Sequence, residues 1–300
     1  MITKISDLYQ LVEKQSKPKK IAVAAAHDEH ALDAVYKAWK KNIVVPVLVG
    51  DLEKIEKIAT ENSYDFSTIE IIDEKNNKKA VEIAVDLVRS KKADILMKGN
   101  VQTADLLRGV LNEEKGLKTS SLLSHFSIFD VPNYHKVLGI TDVAMNIAPT
   151  LKEKISIINN AVSCMNALGV AKPKVAVLGA VETVSDKMPA TEDAAILSKM
   201  AQRKQIANCI IDGPLALDNA LSKESAHHKG IESDVAGDAD ILLCPDIEAG
   251  NILYKILGFT GAELAAVILG AKAPIVLTSR ADSESAKLNS ILLAAVISEI

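Results

Sequence analysis

The residues best suited to chemistry lie where short apolar runs give way to polar or turn residues. Foremost is Lys98-Gly99-Asn100, which follows the apolar run 95–97. Such a run fits a buried strand of a parallel sheet. The glycine permits backbone angles closed to other residues, as a sharp turn requires. Thr103 then precedes a helical pattern with Leu107 and Leu111 on one face, and threonine is a common N-cap. Strand, glycine turn and helix N-terminus together make a place where backbone N–H groups and the helix dipole meet an anion. Lys98 and Arg108 add positive charge, so the chemistry predicted is binding of phosphate or an acyl phosphate. Arg108 is equally suited to a surface ion pair with Asp105, three residues earlier on the polar side of the helix.

Three further apolar runs end similarly, in Asp212-Gly213-Pro214, Pro245-Asp246 and Thr278-Ser279-Arg280. In open α/β sheets the ligand crevice lies beyond the carboxyl ends of the strands. Asp, Gly, Pro and Ser are also ordinary turn residues, and Asp212-Gly213-Pro214 is read as such. Ser279-Arg280 differs, because arginine forms bidentate bonds to phosphate. His27 and His30 flank acidic residues at a helix start, where capping and solvated roles outweigh metal binding. His227-His228 reads as a solvated loop or helix end, and Ser124-His125 has no acid at a spacing that would complete a triad. The chain contains no Gly-x-x-x-x-Gly-Lys-Ser/Thr loop, no Gly-x-Gly-x-x-Gly fingerprint, no Gly-x-Ser-x-Gly elbow and no Cys/His cluster for zinc.

An α/β framework carries these residues. Strands are predicted at 20–26, 44–49, 69–72 and 95–97. Helices lie between them, the one after 20–26 capped by Asp28. Segments 122–131 and 139–146 read as an antiparallel excursion through Pro132-Asn133-Tyr134-His135, before a helix from Pro149-Thr150 to about Leu168. A second series has strands at 174–178, 209–211, 241–244 and 275–278, helices at 191–204, 249–257 and 261–269, and a last helix through Leu288 and Ala295 that packs back on the first domain. The alternation predicts parallel sheets covered on both faces. The expected domains are 1–138 plus 280–300, and 139–279.

Three hundred residues accommodate two domains. A net charge of −4 and 3% aromatic residues argue against a nucleic-acid or acidic-membrane surface, so anion binding must be local. Cys164, Cys209 and Cys244 lack Cys-x-x-Cys spacing and read as buried, reduced thiols. No apolar run reaches membrane-spanning length and the N-terminus lacks a signal-peptide core, which predicts a cytoplasmic protein.

As an ordered set, several segments resemble the phosphate acyltransferases, the family of phosphotransacetylase and phosphate butyryltransferase. They are Leu96-Met-Lys-Gly99 with Thr103 and Arg108, the segments 212–218, 233–240 and 244–255, and the segment 272–282 ending in Thr-Ser-Arg-Ala-Asp282. The segments 24–30, 187–191, 228–231 and 278–283 are similar to the butyryl branch. The acetyl branch tends to carry an arginine soon after Gly-Asn-Ile-x-Tyr-Lys, where this chain has Gly258 and Phe259. It also places an acid seven positions after the serine of Ser-Arg, where this chain has Ala286.

The resemblance implies two α/β domains with mostly parallel sheets and an active-site cleft between them, an architecture like that of isocitrate and isopropylmalate dehydrogenases. It implies reversible transfer of a short acyl group between coenzyme A and inorganic phosphate, with butanoyl favoured over acetyl. It further implies a homodimer or larger homo-oligomer that uses no metal or prosthetic group. Ser279, Arg280, Arg108 and Asp282 are the implied catalytic residues; Lys98, Gly99, Thr103 and Asn251 are the implied substrate contacts. Two alternatives belong to other classes: a nicotinamide-dependent dehydrogenase on a related fold, and a non-catalytic domain of this fold.

Overall fold

The computed structural model describes residues 2–277 and 282–299. The chain begins α1 (Asp7–Glu13), β1 (Lys19–Ala24), α2 (Glu29–Lys40), β2 (Val44–Gly50), α3 (Leu52–Glu61), β3 (Glu70–Asp73), α4 (Asn77–Arg89), β4 (Ile95–Lys98) and α5 (Thr103–Val110). It continues β5 (Ser124–Asp130), β6 (Leu138–Thr141), α6 (Leu151–Ala167), β7 (Lys174–Leu178), α7 (Pro189–Gln202), β8 (Ile210–Leu215), α8 (Leu217–Leu221) and α9 (Lys223–His228). Last come β9 (Ile241–Leu243), α10 (Ile247–Phe259), β10 (Glu263–Leu269), β11 (Ile275–Val276) and α11 (Glu284–Ile297). The mixed α/β class and the mostly parallel strands agree with the sequence.

Contacts gather the chain into two compact units, Met1–Ile5 with Leu122–Leu264, and Ser6–Ser121 with Ala265–Ile300. The chain thus passes between units near 121 and 264, whereas the sequence pattern puts the crossings near 138 and 279.

The unit that contains Lys98 has the strand order β3-β2-β1-β4-β11-β10. The first five run parallel, and β10 is antiparallel to β11. β1, β2 and β4 are almost wholly buried, which is why their sequences are continuous apolar runs rather than alternating ones. Their helices start where polar caps allow. Asp28 accepts from Ala31 N, Asp51 from Lys54 N, and Asn76 from Lys78 N and Lys79 N.

Three expectations change here. The segment 261–269, predicted to be helical, is the strand β10, buried from Leu264 onward. A short apolar run does not by itself distinguish a buried strand from a buried helix. The strand at 275, assigned from sequence to the second series, pairs with β4, Ile275 opposite Leu96 and Val276 opposite Met97. Thr103 is the first residue of α5 rather than its cap; Gln102 occupies the cap position and makes no side-chain cap bond.

α11 runs antiparallel to β1. At its far end Glu299 meets Lys19, at the amino end of β1, at 2.6 Å. Nearer its start, Ser290 Oγ accepts from Ala266 N in β10 at 3.0 Å. Since Ile268 faces Ile275 in the antiparallel pair, Ala266 lies level with the carboxyl end of β11. The first turn of α11 therefore lies at the carboxyl rim of this sheet.

The unit that contains Asn251 has the order β5-β6-β9-β7-β8. β5 and β6 form the predicted antiparallel excursion, and the other pairs are parallel. α6 opens with a capping box between Thr150 and Glu153. Asp212-Gly213-Pro214, expected beyond a strand end, lies within β8 instead. Proline is tolerated there because β8 is last in the strand order of this unit. At the amino ends of β7 and β9, Asp238 takes bonds from Lys174, Lys136 and His135, while Asp240 pairs with Lys136 and accepts from Lys174 N. Burial alone would raise the Asp238 carboxyl, but these bonds hold it far below the usual range.

Lys154 of α6 is buried and meets Asp193 of α7 at 2.7 Å. Removing one partner strands a charge in the interior. Asp193→Ala is expected to cost about 2–3 kcal/mol of unfolding free energy in urea, below the ~3–5 of a fully enclosed pair because Asp193 remains partly solvated.

Candidate functional site

The rim beyond β1, β2 and β4 is built from main chain. Gly99 N donates to Ala24 O at 2.9 Å and Asn100 N to Ala25 O at 2.7 Å. A Cβ on Gly99 would sit 2.3 Å from Ala25 O. Gly99 is not in the left-handed region, so it is required by close approach rather than by the unusual angles its sequence context suggests. Ala25 is the residue in that region, at φ 53°, uncommon for alanine.

Consequently the N–H groups of the turn, expected to face an anion, are used between strands. The positive charge above them stays. Lys98 is half-buried and its Nζ donates to the carbonyls of Gly99 and Val101, each at 3.1 Å. Thr103 is exposed at the start of α5. Arg108 forms the ion pair with Asp105 that the spacing permits, and its side chain remains 69% exposed. Arg108 and Asp105 also line a cavity of about 990 Å³ with Val81, Asp86, Arg89 and Lys115.

Ser279 and Arg280 lie outside the described residues. Asp282 is half-buried and its carbonyl accepts from Lys287 Nζ at 2.6 Å. Ala286, where the acetyl branch carries an acid, is buried and donates its N–H to Ser283 Oγ, the cap of α11. Asn251 lies in the other unit, on α10, and its Nδ2 donates to Val143 O at 3.0 Å. Lys98, Gly99, Thr103, Arg108 and Asp282 thus share one unit, and Asn251 does not.

His27 departs from expectation. It is buried rather than solvated, and its Nδ1 accepts from Asp51 N at 3.2 Å. Beside it Asn77, at the start of α4, donates Nδ2 to Asn100 O at 2.7 Å. These bonds tie the end of β1 to Asp51 after β2 and the start of α4 to the Lys98 turn. Burial first, then the Lys54 ammonium, push the imidazole below its usual value near 6.5, against Asp51 and Asn77. His27 follows a run of alanines in a buried strand, and that apolar context is the signal that sets it apart from the exposed His30.

Among the described residues no group of three or more His, Cys, Asp and Glu is arranged to hold a metal ion. All three cysteines are free and buried, as expected. Burial pushes the Cys209 thiol up to about 11 and the Cys244 thiol up to about 12, values unsuited to a nucleophile. Ser124 and His125 are buried on β5, and Ser127 rather than Ser124 meets His125 Nδ1, at 3.3 Å.

The family model described as "Phosphate acetyl/butaryl transferase" matches residues 5–85 and 74–295. The chain belongs to this family. This phosphate acyltransferase chain is 50% identical over 298 residues to the phosphate butyryltransferase of Clostridium acetobutylicum, covering 99% of each. It is 49% identical over 291 residues to the phosphate acetyltransferase of Thermotoga maritima, covering 96% of this chain and 99% of that one. The crystal structure of a branched-chain phosphotransacylase from Enterococcus faecalis V583 matches with a TM-score of 0.83 at 34% identity, covering 93% of this chain and 99% of that one. The protein is an acyltransferase, as its segments from 96 to 282 suggested.

His27 also makes folding stability pH-dependent. Its native value is depressed, so acidification protonates the unfolded chain first. Its contribution is fully present above about pH 6.5 and is lost as the pH falls towards the lower native value. Unfolding free energies measured in urea between about pH 8 and pH 5 should fall less steeply for His27→Gln than for the parent.

Proposed function

We propose that the protein transfers a butanoyl group reversibly between coenzyme A and inorganic phosphate, giving butanoyl phosphate and free coenzyme A. Support comes from whole-length similarity to phosphate butyryltransferases together with the cationic rim around Lys98. The single observation that carries the site is the parallel pairing of β11 with β4. In sequence Ser279 follows β11 by three residues, and β11 flanks the strand that carries Met97 and Lys98.

In this reading phosphate attacks the thioester carbonyl, a C–O bond forms, and the C–S bond breaks as the thiolate leaves. Arg280 and Arg108 hold the phosphate dianion and reduce its repulsion from the developing oxyanion. To do so Arg108 exchanges an exposed pair with Asp105, which is worth little in solvent. Ser279 donates to the oxyanion, and Lys98, Gly99, Thr103 and Asn251 position the substrates. In the reverse direction Asp282 takes the thiol proton, since Ala286 offers no acid. The reaction uses no metal or prosthetic group and takes place in the cytoplasm. Oligomerisation with a second copy is part of the proposal. On α10, Ile252, Ile256 and Phe259 expose one apolar stripe at helical spacing, Phe259 being 88% exposed.

Acetyl transfer is the second reading, favoured by the 49% identity to the Thermotoga maritima phosphate acetyltransferase. One methylene changes discrimination by only ~1–3 kcal/mol in an apolar pocket, so an acyl-CoA series separates the two.

Thiol release from butanoyl-CoA should require phosphate and should exceed release from acetyl-CoA. Release independent of phosphate refutes transfer, and faster acetyl turnover selects the second reading. Arg280→Ala is expected to raise the phosphate KM and lower kcat/KM about 10- to 100-fold, the worth of a bond to a charged group. Unchanged kinetics would remove Arg280 from the site.

A further inference from the structure

The chain treats its two fully buried lysines differently. Lys154, 5% exposed, faces the Asp193 carboxylate at 2.7 Å. Lys287, 4% exposed, donates only to the Asp282 carbonyl at 2.6 Å. Among the described residues no carboxylate lies within ion-pair distance of the Lys287 ammonium. An ammonium has three donors, and withdrawing a charge from water without a counter-charge is destabilising. Nothing in the helix requires that cost. Lys287 stands four residues before Ile291 on the apolar stripe that α11 turns into the core, where Leu or Met would pack without penalty.

The location supplies a reason. The antiparallel course of α11 puts its first turn at the carboxyl rim of the sheet, where ligands of open α/β folds bind. At that rim Lys98 Nζ donates to the carbonyls of Gly99 and Val101. A positive charge enclosed in protein is poorly screened, so it attracts an anion at the rim without touching it. Destabilisation kept in the free protein and relieved on binding is a recognised signature of a working site.

We propose that Lys287 is a positioning residue for the anionic substrate. Its buried ammonium fixes the Asp282 carbonyl and supplies the unmatched charge that draws phosphate to the rim of β4 and β11. The role rests on the phosphate-transfer reading above. It adds a cation that the Ser-Arg motif does not contain, five residues beyond Asp282.

The test uses the full-length protein, with inorganic phosphate as the probe. Lys287→Met removes charge and donor; Lys287→Gln keeps a donor for the Asp282 carbonyl and removes only the charge. Both variants should melt at the parent temperature or above, since an uncompensated charge is gone. Both should raise the phosphate KM about tenfold or more, the worth of one charged contact, and lose most of the phosphate-induced rise in melting temperature. Two results overturn the proposal. One is a lowered melting temperature with unchanged phosphate KM, which marks an ordinary structural lysine. The other is a Lys287→Gln variant with parental phosphate dependence, which shows that the charge is idle. Failure of the transfer reading is distinguishable, because it abolishes phosphate-dependent thiol release in the parent, while the phosphate-induced melting shift reports on Lys287 independently of acyl transfer.

Discussion

Two carbonyls and two amides at the ends of β1 and β4 govern the candidate site. Gly99 N and Asn100 N are bonded to Ala24 O and Ala25 O, and the strands approach so closely that a single methyl group on Gly99 would overlap Ala25 O. The contact uses the turn's own N–H groups and leaves main-chain carbonyls to hold the Lys98 ammonium. Cationic side chains rather than a nest of amides therefore face the rim. Under the proposed reading the charges that would hold an anion come from side chains such as Lys98 and Arg108.

Elsewhere in the fold charges are paired. Lys154 with Asp193, and Lys136 and Lys174 with Asp238 and Asp240, are closed sets in which each buried charge has its opposite within reach. The first fastens α6 to the opening turns of α7, and the second ties the amino ends of β7 and β9. At the rim beyond β4 the Lys98 ammonium donates to the main-chain carbonyls of Gly99 and Val101. His27 contributes differently. Buried, it accepts from Asp51 N and so ties β1 to the chain after β2 beside the turn.

Ala286 stands seven residues after Ser279, in the first turn of α11. Ala286 there is buried, and its amide is spent on the Ser283 cap. Restoring an acid would bury a carboxylate in the first turn of α11. The neighbouring position in the same turn carries Lys287, which is also buried. Chain-length preference, by contrast, depends on the shape of an apolar pocket, to which single positions contribute little.

Much was legible in the sequence because it is written in local patterns. Continuous apolar runs specify buried parallel strands, Asp28 and Thr150 specify helix starts, and the ordered segments from Leu96 to Asp282 specify the family. Arg108 was legible both as a cation and as the partner of Asp105, for both follow from spacing along one helix. What spacing cannot carry is contact between distant segments. The run 263–269 satisfies strand and helix alike until β11 pairs with it, and β11 finds its place only by lying against β4, some 180 residues earlier in the chain. The need for glycine at 99 is set by Ala25 across the sheet, and the burial of His27 by Gly50 and Asp51. The isolation of Lys287 is set by which carboxylates the fold fails to bring near it. Residue types and order thus determined the chemistry available to this chain. Tertiary packing decided which charges are neutralised and which remain for a substrate, because neutralisation depends on distances that only the folded chain defines.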